Sequence, residues 1–167
     1  MGRSGQVYAA AHYAVPVDFG GGERPAAAVT NGVILALDAT GTYRWDRVFT
    51  SPTSATLSGV DAKLDGVVAV GWFGDSLTVG GSTLAGSTFE SSVLIEFSPE
   101  GAVRRSRTFA ATANNAAVDV VVGIGDSTAV VGRWQGSITL EGTTYLSRTS
   151  SGGGASPDVY IIRPAGI

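Results

Sequence analysis

The sequence predicts an all-β fold built from repeated antiparallel sheets, and three observations carry that expectation. Apolar residues alternate with period two, as in Val93, Ile95 and Phe97, and β-branched or aromatic side chains lie between Gly, Asp, Pro and Ser punctuation. Turn signals follow at hairpin spacing: DATG at Asp38–Gly41, SPEG at Ser98–Gly101 and LDG at Leu64–Gly66. The chain also repeats itself after a step of about 60 residues, so that one supersecondary unit is reused and each copy covers its neighbour's apolar face.

The best-formed copy is centred on Val67–Leu84, VVAVGWFGDSLTVGGSTL. Earlier in the chain Val7 falls on Val67, Ala9 on Ala69, Gly20 and Gly21 on Gly80 and Gly81, Val33 on Val93 and Gly41 on Gly101. Arg44, Arg47 and Phe49 then fall on Arg104, Arg107 and Phe109. With one residue added, a third copy sets Gly71 against Gly132, Phe73 against Trp134 and Gly81 against Gly142. The chain is therefore read as a single repeat domain over residues 1–167, with copies at 7–66 and 67–127 and a partial one at 128–167.

Within the second copy the expected strands are Val67–Asp75, Ser91–Ser98, Ala102–Ala110 and Val118–Gly125, with a glycine-kinked excursion at Leu77–Leu84. The first copy opens directly on its key strand, Val7–Ala14, and carries a kink at Val17–Gly22 and an Ala-Pro loop at Glu23–Ala28. The third ends on Asp158–Arg163, matched to Val93–Phe97 after a longer loop at SSGGGASPD. Four strands in roughly forty to sixty residues mark a β-propeller blade, and closed propellers need about four to eight blades. About ten strands in two and a half repeats make an incomplete ring unless other chains complete it. A piece of a longer propeller, an oligomer whose chains complete one another's blades, and a compact open stack of sheets each satisfy that count.

Composition narrows function by exclusion. With 44% hydrophobic and 15% charged residues the chain is too apolar for disorder. A net charge of −3 excludes nucleic acid and anionic membrane surfaces as partners, because both demand a basic face. The absence of cysteine removes disulfides and thiolate metal sites. The first residues, MGRSGQVYAAAHYAV, lack the apolar core of a secretory leader, and no run reaches a membrane span. Either a leader has been removed or the chain begins inside a longer one, and no membrane insertion is expected.

VVAVGWFGDSLTVGG, SSVLIEFSPEGAV and SGVDAKLDGVVAVGWF together resemble the SBBP-type β-propeller repeats of bacterial extracellular proteins. In that family a valine-rich strand ending in Gly and an aromatic residue precedes a glycine kink, a hairpin and a Trp-bearing strand. TGTYRWDRVF at Thr40–Phe49 matches the last element, whereas Arg105 stands in the second copy where Trp45 stands in the first. The resemblance implies a blade architecture and a secreted or cell-surface setting, and it brings no catalytic residue with it.

The residues that carry chemistry elsewhere have plain structural readings here. His12 is the only histidine, so neither a zinc site nor a hydrolase triad is expected, and no cofactor is implied. The acids Asp38, Asp61, Asp65, Asp75, Glu100, Asp126 and Asp158 are scattered over turns, where carboxylates cap backbone amides, and none has the spacing of a calcium loop. Gly20–Gly22 and Gly152–Gly154 follow strands but precede no helix, so they cradle no phosphate. Arg104, Arg105 and Arg107 form a basic cluster expected to be solvated or to bridge to a neighbouring sheet.

Recognition is best supported at the aromatic pairs His12-Tyr13, Trp72-Phe73 and Arg133-Trp134, which recur near the end of the same strand. Pleating turns one member of each pair inward, so Tyr13, Phe73 and Trp134 are expected in the core and His12, Trp72 and Arg133 on a rim. With Asp75 and Gln135 these rim residues compose a candidate glycan-binding set. The leading expectation is a non-enzymatic interaction and assembly scaffold, partnered by its own copies or by the rest of a longer propeller. A lectin-like module is the alternative, and a glycosidase built on carboxylates that meet across repeats comes third.

Overall fold

The computed structural model describes residues 5–26, 29–109, 111–149 and 153–164. Among the described residues there is no α-helix, and the one helical turn is a 3-10 segment at Ile124–Asp126. The strands run in chain order as β1 (Val7–Tyr13), the short hairpin β2 (Val17–Asp18) and β3 (Glu23–Arg24), then β4 (Asn31–Leu37) and β5 (Tyr43–Phe49). The centre is β6 (Ala55–Lys63), β7 (Gly66–Val79), β8 (Ser82–Phe97) and β9 (Val103–Phe109). Last come β10 (Asn115–Val122), β11 (Thr128–Trp134), the hairpin β12 (Ser137–Leu140) and β13 (Thr143–Leu146), and β14 (Asp158–Ile162).

Three principal antiparallel sheets result, ordered β1-β4-β5, β6-β7-β8-β9 and β10-β11-β14, and none closes on itself. They hold three, four and three strands, which agrees with the ten expected. The glycine-kinked excursions are hairpins: β2–β3, the outer ends of β7 and β8, and β12–β13. The Ala110 end of the expected third strand, residues 27–28 of the Ala-Pro loop and residues 150–152 of the long loop lie outside the described residues.

Two expectations require correction. Val118–Gly125 was assigned to the second copy's sheet, but its residues lie mainly in β10, which begins at Asn115 and pairs with β11 of the third sheet. β6, by contrast, pairs with β7 as the Leu64–Gly66 hairpin signal requires. The cause is the turn at Leu64 and Asp65, which folds β6 straight back onto β7, whereas the segment after β5 crosses from one sheet to the next. The middle and third sheets therefore each straddle a sequence-repeat boundary, whereas the first lies within one copy. The match of β14 also shifts by one residue: Trp134 pairs with Asp158 as Phe73 pairs with Ser91, which puts Tyr160 rather than Val159 at the place of Val93. The long loop adds one residue more than the apolar pattern suggested.

The sheets stack face to face with the four-stranded one in the middle. Val67, Ala69 and Phe73 of β7, with Val93, Ile95 and Phe97 of β8, meet Ile34, Trp45 and Phe49 of the first sheet. Val68, Val70 and Leu94 point the other way, against Val120, Val130 and Tyr160 of the third. Phe97 sits at the first of these interfaces with its ring 6.0 Å from that of Phe49 and 6.2 Å from that of Trp45. Gly71 is required by close approach, since a Cβ there would run into the Thr56 carbonyl of β6. Phe97→Ala is expected to cost about 3–5 kcal/mol through lost burial and the cavity left behind, read as a lowered urea midpoint.

The β2–β3 hairpin is fastened to the first sheet by charge. Arg24 Nε and Nη2 donate to the Asp46 carboxylate at 2.9 and 2.8 Å, and the Tyr43 hydroxyl donates to it at 2.7 Å. Burial pushes the Asp46 carboxyl up, but the bonds from Arg24 and Tyr43 outweigh it and hold the group below the ordinary carboxylate value. A folded pKa that is depressed adds stability above the unfolded value, about 3.9, and loses it as pH falls through the folded value. Urea midpoints measured from pH 7 downward should therefore fall below about pH 4 more steeply in the wild type than in Asp46→Asn.

Candidate functional site

The rim residues occupy one register position in successive sheets. His12 lies opposite Gly32, Trp72 between Thr56 and Ser92, and Arg133 between Ala116 and Val159. Their neighbours Tyr13, Phe73 and Trp134 are buried, as pleating requires, while His12 and Arg133 are exposed and Trp72 is half-buried. Asp75 sits in the bulge between Gly74 and Ser76 with φ of 65°, exposed and turned outward.

Of the five candidates the structure brings together two. Arg133 and Gln135 line a hollow of about 230 Å³ with Glu90, Asn114, Trp134 and Pro157. His12, Trp72 and Asp75 do not border it. Glu90 and Asn114 are absent from the sequence-derived set. Glu90 was findable in principle, because it pairs with Gly74 once the β7–β8 hairpin is drawn.

Apart from Asp75, the turn carboxylates are each bonded to a neighbouring amide, hydroxyl or guanidinium. Asp38 accepts from the amides of Thr40 and Thr42 at 2.8 and 2.9 Å, and these bonds with that from the Thr40 hydroxyl hold its carboxyl below the usual range. Asp61 accepts the Val122 amide at 2.7 Å and Asp126 the Leu64 amide at 2.8 Å, so each reaches across an inter-sheet boundary. Arg104 bonds Asp65, which keeps that carboxyl low, and Arg107 bridges to Glu141 of the next hairpin at 2.7 Å. Among the described residues no three His, Asp or Glu side chains cluster as a metal site.

Sequence reasoning also missed a buried polar link between the middle and third sheets. Ser92 Oγ donates to Asn115 Oδ1 at 2.7 Å and lies 3.0 Å from the Tyr160 hydroxyl, while Asn115 Nδ2 donates to the Phe109 carbonyl. Burial raises the Tyr160 phenol above its usual value, and the bond with Ser92 partly offsets it.

Among the described residues the outer sheets hold three strands each and the middle one four. In the middle sheet β7 is paired on both sides, whereas among the described residues its counterpart β1 pairs with β4 alone. At the other end, among the described residues, β14 pairs with β11 alone, where its counterpart β8 also holds β9. Side-chain atoms buried without a hydrogen-bond partner occur beside or in these outer sheets, at Thr30 and Asn31 and at the Trp134 indole. No family model matches this chain, and no curated protein matches it.

Bare edges open locally more readily than paired ones. Hydrogen exchange followed by mass spectrometry should show β7 and the inner half of β8 exchanging only on global unfolding. Peptides covering β1 and β14 should exchange well before them.

Proposed function

We propose that this chain is a non-enzymatic β-propeller-type repeat module that acts as a protein interaction and assembly scaffold. The observation that carries the reading is the chemistry of its two end faces. Val159 is 71% exposed and Ile161 76%, and with Val121 they lie on the side of the third sheet that corresponds to the buried Leu94 side of the middle one. At the opposite end Val7, Ala9 and Ala11 are exposed at positions where β7 carries the buried Val67, Ala69 and Gly71. Two different faces that fit each other make a head-to-tail contact, which gives rings or filaments according to whether its rotation closes. The structural duties of the turn carboxylates support the non-enzymatic part. The resemblance to SBBP-type repeats supports the propeller architecture and a secreted or cell-surface setting.

A lectin-like module is the second reading, favoured by the hollow that Arg133 and Gln135 share with Glu90. Its test is a glycan array on the wild type and Arg133→Ala, with the same lost signals in the variant as the supporting result.

For the scaffold, light scattering should show mass rising with concentration. Val121→Glu should hold the chain monomeric, because burying an uncompensated carboxylate in an apolar contact costs several kcal/mol. A wild type that stays monomeric at hundreds of micromolar would sink the reading.

A further inference from the structure

The hollow at Arg133 and Gln135 marks a gap at the boundary of the middle and third sheets that the boundary of the first and middle sheets does not have. Tyr13 pairs with Asn31 as Phe73 pairs with Ser91, and Phe73 pairs with Ala55 as Trp134 pairs with Asn115. Thr30 and Ser54 at the first boundary therefore correspond to Glu90 and Asn114 at the second. At the first, a backbone bridge joins the two, with the Ala55 amide donating to the Thr30 carbonyl at 3.0 Å and the Val29 amide to the Thr53 carbonyl at 3.3 Å. At the second, Phe89 stands in the place of Val29, and its amide donates instead to Ser87 Oγ at 3.2 Å, while the Ser87 amide donates to Ser91 Oγ at 3.0 Å. This segment is folded onto itself, and among the described residues no bridge joins Glu90 to Asn114. Both border the hollow instead.

The lining selects by charge. Glu90 is half-buried and Arg133 exposed, and among the described residues neither belongs to an ion pair, with each other or with any other group. A net cation in the hollow is attracted by the carboxylate but repelled by the guanidinium, and a net anion meets the reverse. Two amide side chains, Asn114 and Gln135, and the largely buried Trp134 add to the wall. At about 230 Å³ the hollow is smaller than the roughly 300–1,000 Å³ of sites that hold drug-sized ligands. A small neutral molecule rich in hydroxyl groups meets all of these conditions. Its hydroxyls donate to the carboxylate in charge-assisted bonds, about twice as strong as neutral ones, and exchange bonds with amides that both donate and accept.

We propose that Glu90 is the specificity-determining residue of a monosaccharide site in this hollow, where its carboxylate accepts from a ring hydroxyl of one neutral pyranose unit and Asn114 bonds the neighbouring hydroxyl. The site rests on the lectin-like reading and adds to it a neutral sugar class and the group that reads it.

The test titrates the full chain with glucose, galactose, mannose and fucose by isothermal calorimetry, beside the glycan array. At least one should saturate at one sugar per chain, and Glu90→Gln should bind it about tenfold more weakly, the loss expected for a hydrogen bond to a charged group. A singly deoxygenated form of that sugar should be bound equally by the wild type and by Glu90→Gln, because the hydroxyl that meets the carboxylate is gone. The urea midpoint of Glu90→Gln should match the wild type, since Glu90 holds no ion pair among the described residues. A lowered midpoint would show a carboxylate engaged by the protein itself and would overturn the site. Array signals that survive Glu90→Gln unchanged overturn it while leaving a lectin standing, whereas a chain that binds no glycan overturns both. Saturable binding of glucosamine or glycine in preference to the neutral sugars overturns it in favour of a charged ligand.

Discussion

The structure depends on one constraint: the middle sheet is covered on both faces. Its central strand therefore cannot alternate apolar with polar residues and reads Val67-Val68-Ala69-Val70, all buried, with odd members facing the first sheet and even members the third. The rest of the architecture serves these two contacts. The outer hairpin of β7 and β8 directs Leu77 and Val79 into the first interface, and β12 directs Ile138 and Leu140 into the second. Each hairpin is pinned by the segment leaving the preceding sheet, through the bridges of Thr50 with Thr78 and Ala111 with Ile138.

Apolar stacking alone would let such sheets slide, and directional bonds fix their offset. Trp45 Nε1 donates to the Pro99 carbonyl at 2.8 Å and ties the first sheet to the turn after β8. Ser58 Oγ donates to the Ala117 carbonyl at 2.7 Å, and Asp61 and Asp126 latch the turns of the middle and third sheets together. Burying polar groups costs free energy unless they are bonded, so a displaced register would forfeit several of these bonds at once. The turn acids are thus part of what makes the stack unique.

The architecture was legible where residue chemistry is local. Period-two alternation, the Leu64–Gly66 turn and the recurrence of Val-Ala-Gly patterns suffice for strands, hairpins and a repeated unit, and pleating correctly sends Tyr13, Phe73 and Trp134 inward. What stayed hidden was relational. A sequence repeat has no preferred starting point, so it could not say that β10 belongs to the sheet that follows it. The slip at β14 has the same origin: Val159, Tyr160, Ile161 and Ile162 are apolar on both faces, and without alternation nothing marks which pair points inward. The rim set was only half assembled for a similar reason, since the neighbours of Arg133 include Glu90 and Asn114, brought close by stacking rather than by sequence.

The end sheets bear on how the module is used. Repeat proteins that finish in water carry polar outer faces on their terminal units, and exposed strand edges are commonly guarded by lysine or proline. Here the repeat keeps Val7 and Ala9 identical to Val67 and Ala69, although the first pair is exposed and the second buried. The third sheet keeps Val121, Val159 and Ile161 exposed, with Arg133 directly opposite Val159 and Arg163 at the place of Glu96. Val7 and Ile161 thus keep, exposed, the apolar character that Val67 and Leu94 have buried.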